Sequence, residues 1–447
     1  MRIALASVLI ALSVAAEAAT TATEFALGNG LRVIVQEDHR APVAVVQIWY
    51  RVGGSDETDG TTGLSHALEH MMFKRTTHLA TGEFSRRVAA RGGRENAFTT
   101  ADYTTYFQQW SADEVAQSFA LEAERMQYLE LDPEEFANEM KVIREERRLR
   151  TDDDAQARAM EAVLAHTWQT SPYRQPVIGW AADIEQLTLE DLRKWYARYY
   201  TPDNALVVVV GDVQPEEIRS LAERHFGGIP RRAPPARKSR PEVAQRGPKR
   251  LTIADPELRL PRVTLHYKVP GLTGIGTGEP AIEPWEIYAL EVLASTFDGG
   301  ASARFPRELV RGREIALAAG TSYSSTSRLP DLFTFDAVPR EGVELPALEA
   351  ALRAQIAAIQ AEPPAADELA RIKRAVVADN VFQQDSMFSQ AMIIGALAIN
   401  GIDWRLKDRY VENIEAVTPA QVQQVARKYL RDEVLTVAHL VPENPRD

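Results

Sequence analysis

Cysteine is absent from the 447 residues of the chain. The protein therefore has no thiol nucleophile, no disulfide and no cysteine-ligated metal site. Basic residues are in deficit, because 51 lysines and arginines face 63 aspartates and glutamates, for a net charge of −12. Such an acidic chain repels phosphate backbones, so we expect no nucleic-acid partner. The composition, with 45% hydrophobic and 26% charged residues, is that of a globular protein and excludes collagen-like or wholly disordered chains.

Long apolar runs are scarce as well, and the clearest one lies at the N-terminus. It extends from Ile3 to Ala16, follows the positive charge of Arg2 and precedes the small-x-small pattern Ala16-Glu17-Ala18. The run is shorter than the roughly 20 residues that a membrane-spanning helix needs. The pattern predicts a cleavable signal peptide over residues 1–18. We expect the mature chain to be exported to the periplasm without a membrane span.

Two segments of the chain resemble each other. Leu187–Val210 and Val417–Val441 each have, as their second residue, a threonine that is typical of a helix N-cap, and each ends in an apolar strand-like run. Similarity at this distance predicts a duplicated domain of about 200 residues. Because helical and strand patterns mix irregularly, we expect an α+β fold with two homologous mixed α/β domains.

Residues 228–250 separate the two halves and carry five prolines and eight basic residues. This composition favours a solvated linker, although a basic anion-binding patch is an alternative. The predicted organisation is a signal peptide over 1–18, an N-terminal domain over 19–229, a linker over 230–250 and a C-terminal domain over 251–447.

Chemistry is indicated by His66-Ala67-Leu68-Glu69-His70. The local pattern is helical, and residues four apart share one face of a helix. Two imidazoles on adjacent turns can bind one zinc ion, and Glu69 beside them can move a proton between water and a leaving amine. The spacing His-x-x-Glu-His is an inverted zinc-protease signature.

A catalytic zinc site needs a third protein ligand. A helix is predicted from Pro133 to about residue 150, with Asp132 as its N-cap. It offers three glutamates: Glu139 and Glu146, which are seven residues apart and share a face, and Glu145, which is rotated away. The residues alone do not choose among them.

The sequence resembles the pitrilysin-type (M16) zinc peptidases, a family that includes mitochondrial processing peptidase. The resemblance rests on the His66–His70 motif and on Val142-Ile143-Arg144-Glu145-Glu146. It extends over nearly the whole mature chain through further matches: Asn96-Ala97-Phe98-Thr99, Asp102-Tyr103-Thr104, Pro172-Tyr173, Pro176–Gly179, Pro202-Asp203-Asn204, Gly211-Asp212 and Phe297–Arg304. The length is that of half-sized members, in which two homologous domains form half of a clamshell.

The resemblance implies a zinc endopeptidase with one Zn²⁺ per chain. His66, His70 and Glu146 would be the ligands, Glu69 the general base and then acid, and Glu139 the group that orients a ligand. The segment Asn96, Ala97, Phe98 and Thr99 would pair with the substrate as an added strand, although Phe98 could equally be packed in the core. Peptides, short or unfolded, would be the substrates.

One departure concerns the Arg and Tyr, seven residues apart, that family active sites take from the second half of the clamshell. The usual pattern L-R-E-K-x-G-x-x-Y aligns with Leu309–Leu317, which places Val310 and Leu317 at the Arg and Tyr positions. The resemblance then implies a homologous partner subunit that supplies the pair, in a heterodimer or a homodimer. In an alternative alignment one of the nearby arginines at 304, 307, 311 or 313 substitutes. A scaffold or a peptide-holding module with this fold is the rival function.

Overall fold

The computed structural model describes residues 22–443. The predicted signal peptide, residues 1–18, lies outside this range. None of the helices within the described range combines the length and the apolar character that crossing a bilayer requires.

The first half contains a six-stranded sheet in the order β1-β2-β6-β3-β5-β4. Its strands are β1 Ala22–Ala26, β2 Arg32–Glu37, β3 Val43–Tyr50, β4 Arg94–Thr99, β5 Thr104–Ser111 and β6 Ala205–Gly211. The strands β1 and β2 form an antiparallel hairpin around Gly28–Gly30. Asn29 stabilises this turn, because its side-chain amide donates to the carbonyl oxygens of Phe226 and Ile229 while its oxygen accepts from the Leu31 amide.

The second half repeats this arrangement in a five-stranded sheet, β7-β11-β8-β10-β9. Its strands are β7 Lys249–Asp255, β8 Arg262–Val269, β9 Ala316–Ser322, β10 Asp331–Pro339 and β11 Leu435–Pro442. The strand β11 is parallel to β7 and antiparallel to β8, just as β6 is parallel to β2 and antiparallel to β3. The predicted mixed α/β class with a duplicated architecture is therefore confirmed.

Helices cover the faces of both sheets. In chain order they are α1 Leu64–Met71, α2 Glu83–Ala90, α3 Val115–Tyr128, α4 Pro133–Arg147, α5 Ala155–Thr167, α6 Ala181–Ile184, α7 Leu189–Tyr199, α8 Pro215–Phe226, α9 Pro284–Asp298, α10 Leu345–Ala361, α11 Ala366–Gln384, α12 Met387–Ile399, α13 Tyr410–Ala416 and α14 Pro419–Tyr429. The repeat is visible here too, because Thr188 and Thr418 form the same capping box at the start of α7 and α14. Each threonine hydroxyl accepts the backbone N–H of the third helical residue, whose side chain accepts the threonine N–H in return. The helix α4 ends three residues before the predicted limit and continues as a π-helical turn, Arg148–Asp152.

One hydrophobic cluster extends across both halves, while the first half also has a core of its own. The shared cluster unites Val45, Trp49 and Val208 of the first sheet with residues of α9 and α12. The helix α12 approaches the first sheet so closely that a Cβ on Gly395 would lie 2.1 Å from the indole ring of Trp49. Only glycine fits at this contact. The helix α12 covers the face of the first sheet that the helices of the first half do not cover.

The connection between the halves has no helix or strand from residue 228 to residue 248, and β7 begins at Lys249. Two of its arginines bind the first half. Arg237 donates to both carboxylate oxygens of Asp56 at 2.7 and 2.8 Å. Arg240 donates to the carbonyl oxygens of Ser55 and Glu57 at 2.7 to 3.0 Å. Arg237 and Arg240 therefore hold the loop that precedes α1.

Candidate metal centre

The helix α1 carries the histidine pair, and its first turn is held by a buried carboxylate outside the motif. Glu57 accepts the backbone N–H of Gly63 at 2.7 Å and that of Ser65 at 2.6 Å. Gly63 has a φ of +90°, and a Cβ there would lie 2.6 Å from the Ile178 carbonyl oxygen. The position excludes side chains, so Glu57 performs the capping that an ordinary N-cap side chain would provide.

We expect Glu57→Gln to lower the free energy of unfolding by about 1–3 kcal/mol, because an amide has one acceptor oxygen and one buried N–H then loses its partner. Urea unfolding of the purified protein measures this change. Glu83→Gln is the matched control, since Glu83 accepts the Ala80 N–H on the exposed surface. Equal stability of the two variants would contradict the capping role.

The helix α4 faces α1 and supplies glutamates to the same place. Asp132 accepts the N–H groups of Glu134 and Glu135 at 2.9 and 3.0 Å, so the predicted N-cap is confirmed. Glu139 and Glu146 lie on the face toward the histidines, whereas the side chain of Glu145 is 55% exposed and pairs with Arg148. The orientation of α4 therefore directs Glu139 and Glu146, but not Glu145, toward the histidines.

His66, His70 and Glu146 form one cluster whose ligand atoms all lie within 4.8 Å of one another. Oε2 of Glu146 lies 3.5 Å from Nε2 of His66 and 3.3 Å from Nε2 of His70. This oxygen is buried and receives no hydrogen bond from any residue in the range 22–443. A buried acceptor without a donor, between two imidazole nitrogens, fits a divalent metal, and two histidines with one carboxylate suit zinc.

The protonation of the two histidines differs. Burial, with the charges of His70 and Arg150, lowers the pKa of His66 to about 3, so this ring is neutral and its lone pair is available. Burial alone would also lower the pKa of His70, but the hydrogen bond and charge of Glu139 and the charges of Glu146 and Glu69 outweigh it and raise the pKa. Metal binding at this centre therefore competes with a proton on His70.

Glu139 bridges His70 and a lysine. Its Oε1 lies 2.8 Å from Nδ1 of His70, and its Oε2 lies 2.5 Å from Nζ of Lys74. A carboxylate on Nδ1 orients the ring and leaves Nε2 directed at the Glu146 oxygen. The sequence reasoning missed Lys74, although its position four residues after His70 could have indicated a neighbour on the same side.

Glu69 lies beside the cluster and is held by the edge strand β4. Its Oε2 accepts a hydrogen bond of 2.6 Å from Oγ1 of Thr99. Burial raises the pKa of Glu69 above its ordinary value, against the opposing effects of the Thr99 hydrogen bond and the charge of His70. A carboxylate whose pKa is moved toward neutrality is suited to exchange protons near pH 7.

The strand β4 pairs with β5 and with no other strand of the described chain, so one of its edges is free. At this edge Asn96 is exposed and Ala97 is partly buried, and the Asn96 side-chain oxygen accepts the Ala97 N–H at 2.9 Å. Phe98 is half-buried, with its ring centroid 6.2 Å from that of Tyr103 and 6.4 Å from that of Phe107. The strand β4 therefore has a free backbone edge and also carries Thr99, which contacts Glu69.

The positions aligned with the family's Arg and Tyr lie in the second half. Val310 packs against the hydrophobic core, and Leu317 on β9 is 51% exposed. Among the nearby arginines, Arg304 pairs with Glu368 through two bonds of 2.9 Å. Glu314 has a φ of +50° and is the non-glycine residue with positive φ in the described chain.

The chain is similar to known peptidases. The family model described as "Insulinase (Peptidase family M16)" matches residues 32–180, and the one described as "Peptidase M16 inactive domain" matches residues 186–376. A Helicobacter pylori protein named zinc protease PqqE is 31% identical over 93% of this chain and 92% of its own. The beta subunit of mitochondrial-processing peptidase from Lentinula edodes is 26% identical over 92% of this chain and 88% of its own.

Solved structures show the same fold. The crystal structure of a protease from Helicobacter pylori has a TM-score of 0.87 and 28% identity, and covers 95% of this chain and all of its own. The first half of the periplasmic protease PqqL from Escherichia coli has a TM-score of 0.78 and 19% identity, with 94% of this chain and 92% of that chain covered.

Proposed function

Because the chain belongs to the M16 peptidase family, we propose that it is a zinc metalloendopeptidase that hydrolyses peptide bonds of short or unfolded polypeptides. The observation that carries the proposal is the buried Oε2 of Glu146, which lies between Nε2 of His66 and Nε2 of His70 and has no hydrogen-bond donor within the described part of the chain. Relatives named zinc proteases support zinc as the metal. The N-terminal domain, residues 19–229, would bear one Zn²⁺.

In this mechanism His66, His70 and Glu146 hold the metal, which when bound polarises the scissile carbonyl and activates water. Glu69 removes a proton from the attacking water and then delivers it to the nitrogen of the leaving amine. Thr99 holds the Glu69 carboxylate in place through its 2.6 Å hydrogen bond. Glu139 keeps the ring of His70 oriented through Nδ1.

The substrate would bind along the free edge of β4. An extended peptide adds there as a further strand, with its backbone hydrogen-bonded to Asn96–Thr99. This mode requires an extended backbone and few particular side chains, which favours unfolded chains over folded proteins. Ala97 N–H, covered by the Asn96 side chain, becomes available when that side chain turns away.

We also propose that full activity requires a homologous partner subunit that supplies an Arg/Tyr pair. Val310 and Leu317 cannot provide the charge or the hydroxyl that would grip the substrate and stabilise the oxyanion. The φ of +50° at Glu314 supports this alignment, because Glu314 stands where the family pattern has a glycine. A second copy of the chain would bring the same Val310 and Leu317, so a heterodimer is favoured over a homodimer.

We also propose that the chain is exported. A signal peptide over residues 1–18 would direct the chain to the periplasm, and structural neighbours named PqqL are described as periplasmic. The alternative function is a non-catalytic scaffold or a peptide-holding module. It is favoured by Val310 and Leu317 at the positions of the family's Arg and Tyr, because they leave the chain without those two groups.

The test combines metal analysis with a cleavage assay on an unstructured peptide mixture. We expect the mature chain to bind one zinc ion and to cleave slowly alone, and faster when mixed with exported proteins from the same source. Glu69→Gln, mixed in the same way, subtracts the peptidases of the extract. Absence of zinc would support the scaffold, and bound zinc without cleavage in either assay would support the peptide-holding module. Full cleavage by the chain alone would contradict the need for a partner.

A further inference from the structure

An arginine outside the metal-binding motif contacts the third ligand. Arg150 lies on the π-helical turn that follows α4, and its Nη1 is 2.7 Å from Oε1 of Glu146. The other oxygen of the same carboxylate, Oε2, is the one that faces the two histidines. The two oxygens of Glu146 are therefore differentiated: one is held by a cation and the other is directed at the metal-binding position.

The neighbouring arginines of this segment have other partners. Arg147 is buried and forms two bonds of 2.9 Å with Glu161. Arg148 donates to Glu145, whose side chain is exposed. Arg150 differs from both, because it contacts a metal-binding carboxylate and its side chain is 73% exposed. Its exposure means that the fold does not depend on it, so its removal isolates the contact with Glu146.

We propose that Arg150 is a positioning residue that makes Glu146 a one-oxygen ligand. The inference rests on the proposed function, since it concerns the same centre. A carboxylate can bind a metal ion through one oxygen or through both, and a catalytic zinc site must keep one position open for water or substrate. The ion pair with Arg150 engages Oε1 and leaves Oε2 alone for the ion. Arg150 thereby keeps the open position from being filled by the protein's own carboxylate.

The test compares Arg150→Ala, Arg150→Lys and Arg148→Ala with the wild-type chain, and needs no assay of activity. Zinc affinity is measured by competition with a chromophoric chelator, and visible absorption of the Co²⁺-loaded protein reports the coordination number of the ion. We expect Arg150→Ala to bind zinc at least as tightly as the wild type, because the second oxygen of Glu146 can then join the ion and a nearby positive charge is removed. We expect its Co²⁺ absorption to lose intensity, as it does when a further ligand oxygen joins a four-coordinate ion.

Arg150→Lys keeps a donor for Oε1, so its Co²⁺ spectrum should stay close to that of the wild type. Arg148→Ala, which removes a neighbouring arginine from the same turn, should change neither readout. An unchanged Co²⁺ spectrum in Arg150→Ala overturns the inference, even if zinc binds more tightly, because tighter binding alone would make Arg150 merely a repelling charge. A wild-type chain that binds neither metal overturns the proposed function itself, whereas failure of Arg150→Ala alone to differ leaves that function standing.

Discussion

Glu69→Gln is expected to reduce kcat/KM of the active assembly by about 10²- to 10⁴-fold, the contribution typical of a positioned general base. The amide cannot accept the proton of the attacking water, although it keeps the size of the carboxylate and can still accept the Thr99 hydroxyl. Peptide hydrolysis measured at matched zinc loading gives this ratio. Zinc affinity should stay within a few-fold of the wild type, because Glu69 is not among the three ligand residues of the cluster.

The zinc measurement on Glu69→Gln is its internal control. If the variant retains zinc and cleaves at the wild-type rate, Glu69 does not move the proton and the mechanism is wrong. If it loses zinc, the loss of activity says nothing about a base, and the ligand set itself needs revision. Retained zinc with lost cleavage is the result that the geometry predicts.

Glu146→Gln is expected to weaken zinc binding by more than about 100-fold, because even a group that only orients a ligand contributes 10- to 100-fold. The substitution replaces the anionic Oε2 that lies between the two histidine nitrogens with a neutral amide. Activity should be lost with the metal. Equilibrium dialysis or chelator competition gives the affinity, and peptide hydrolysis gives the second readout.

The matched control is Glu145→Gln, one residue earlier on the same helix. Its carboxylate is exposed and paired with Arg148, so zinc affinity and cleavage should both stay near wild-type values. The pair of variants distinguishes the glutamates that spacing alone left open. A larger loss of zinc in Glu145→Gln than in Glu146→Gln would contradict the ligand assignment.

Short-range features were predictable from the sequence because they depend on helix and turn geometry. Asp132 caps α4 as its residue type and position indicate, and the Gly28–Gly30 turn joins two antiparallel strands. The match between Thr188 and Thr418 revealed the duplication, which the two sheets display in the same order of five strands, with β1 as an addition to the first sheet. Each of these signals lies within a few residues of the structure that it specifies.

Other contacts could not be read from the sequence because their partners are far apart in the chain. Thr99 reaches Glu69 from a strand 30 residues later in the chain. The contact of Gly395 with Trp49 joins the two halves across more than 300 residues. No local pattern distinguishes such a glycine from any other glycine in a helix.

The sequence by itself determined the duplicated α+β architecture and the placement of His66, Glu69 and His70 together, because a helical repeat of 3.6 residues puts positions i and i+4 on one face. Only the tertiary structure decided that Glu146, rather than Glu145, faces these histidines, and that Arg150 engages its second oxygen. The physical reason is that helix periodicity sets which residues share a face, whereas the packing of α4 against α1 sets which face meets the histidines.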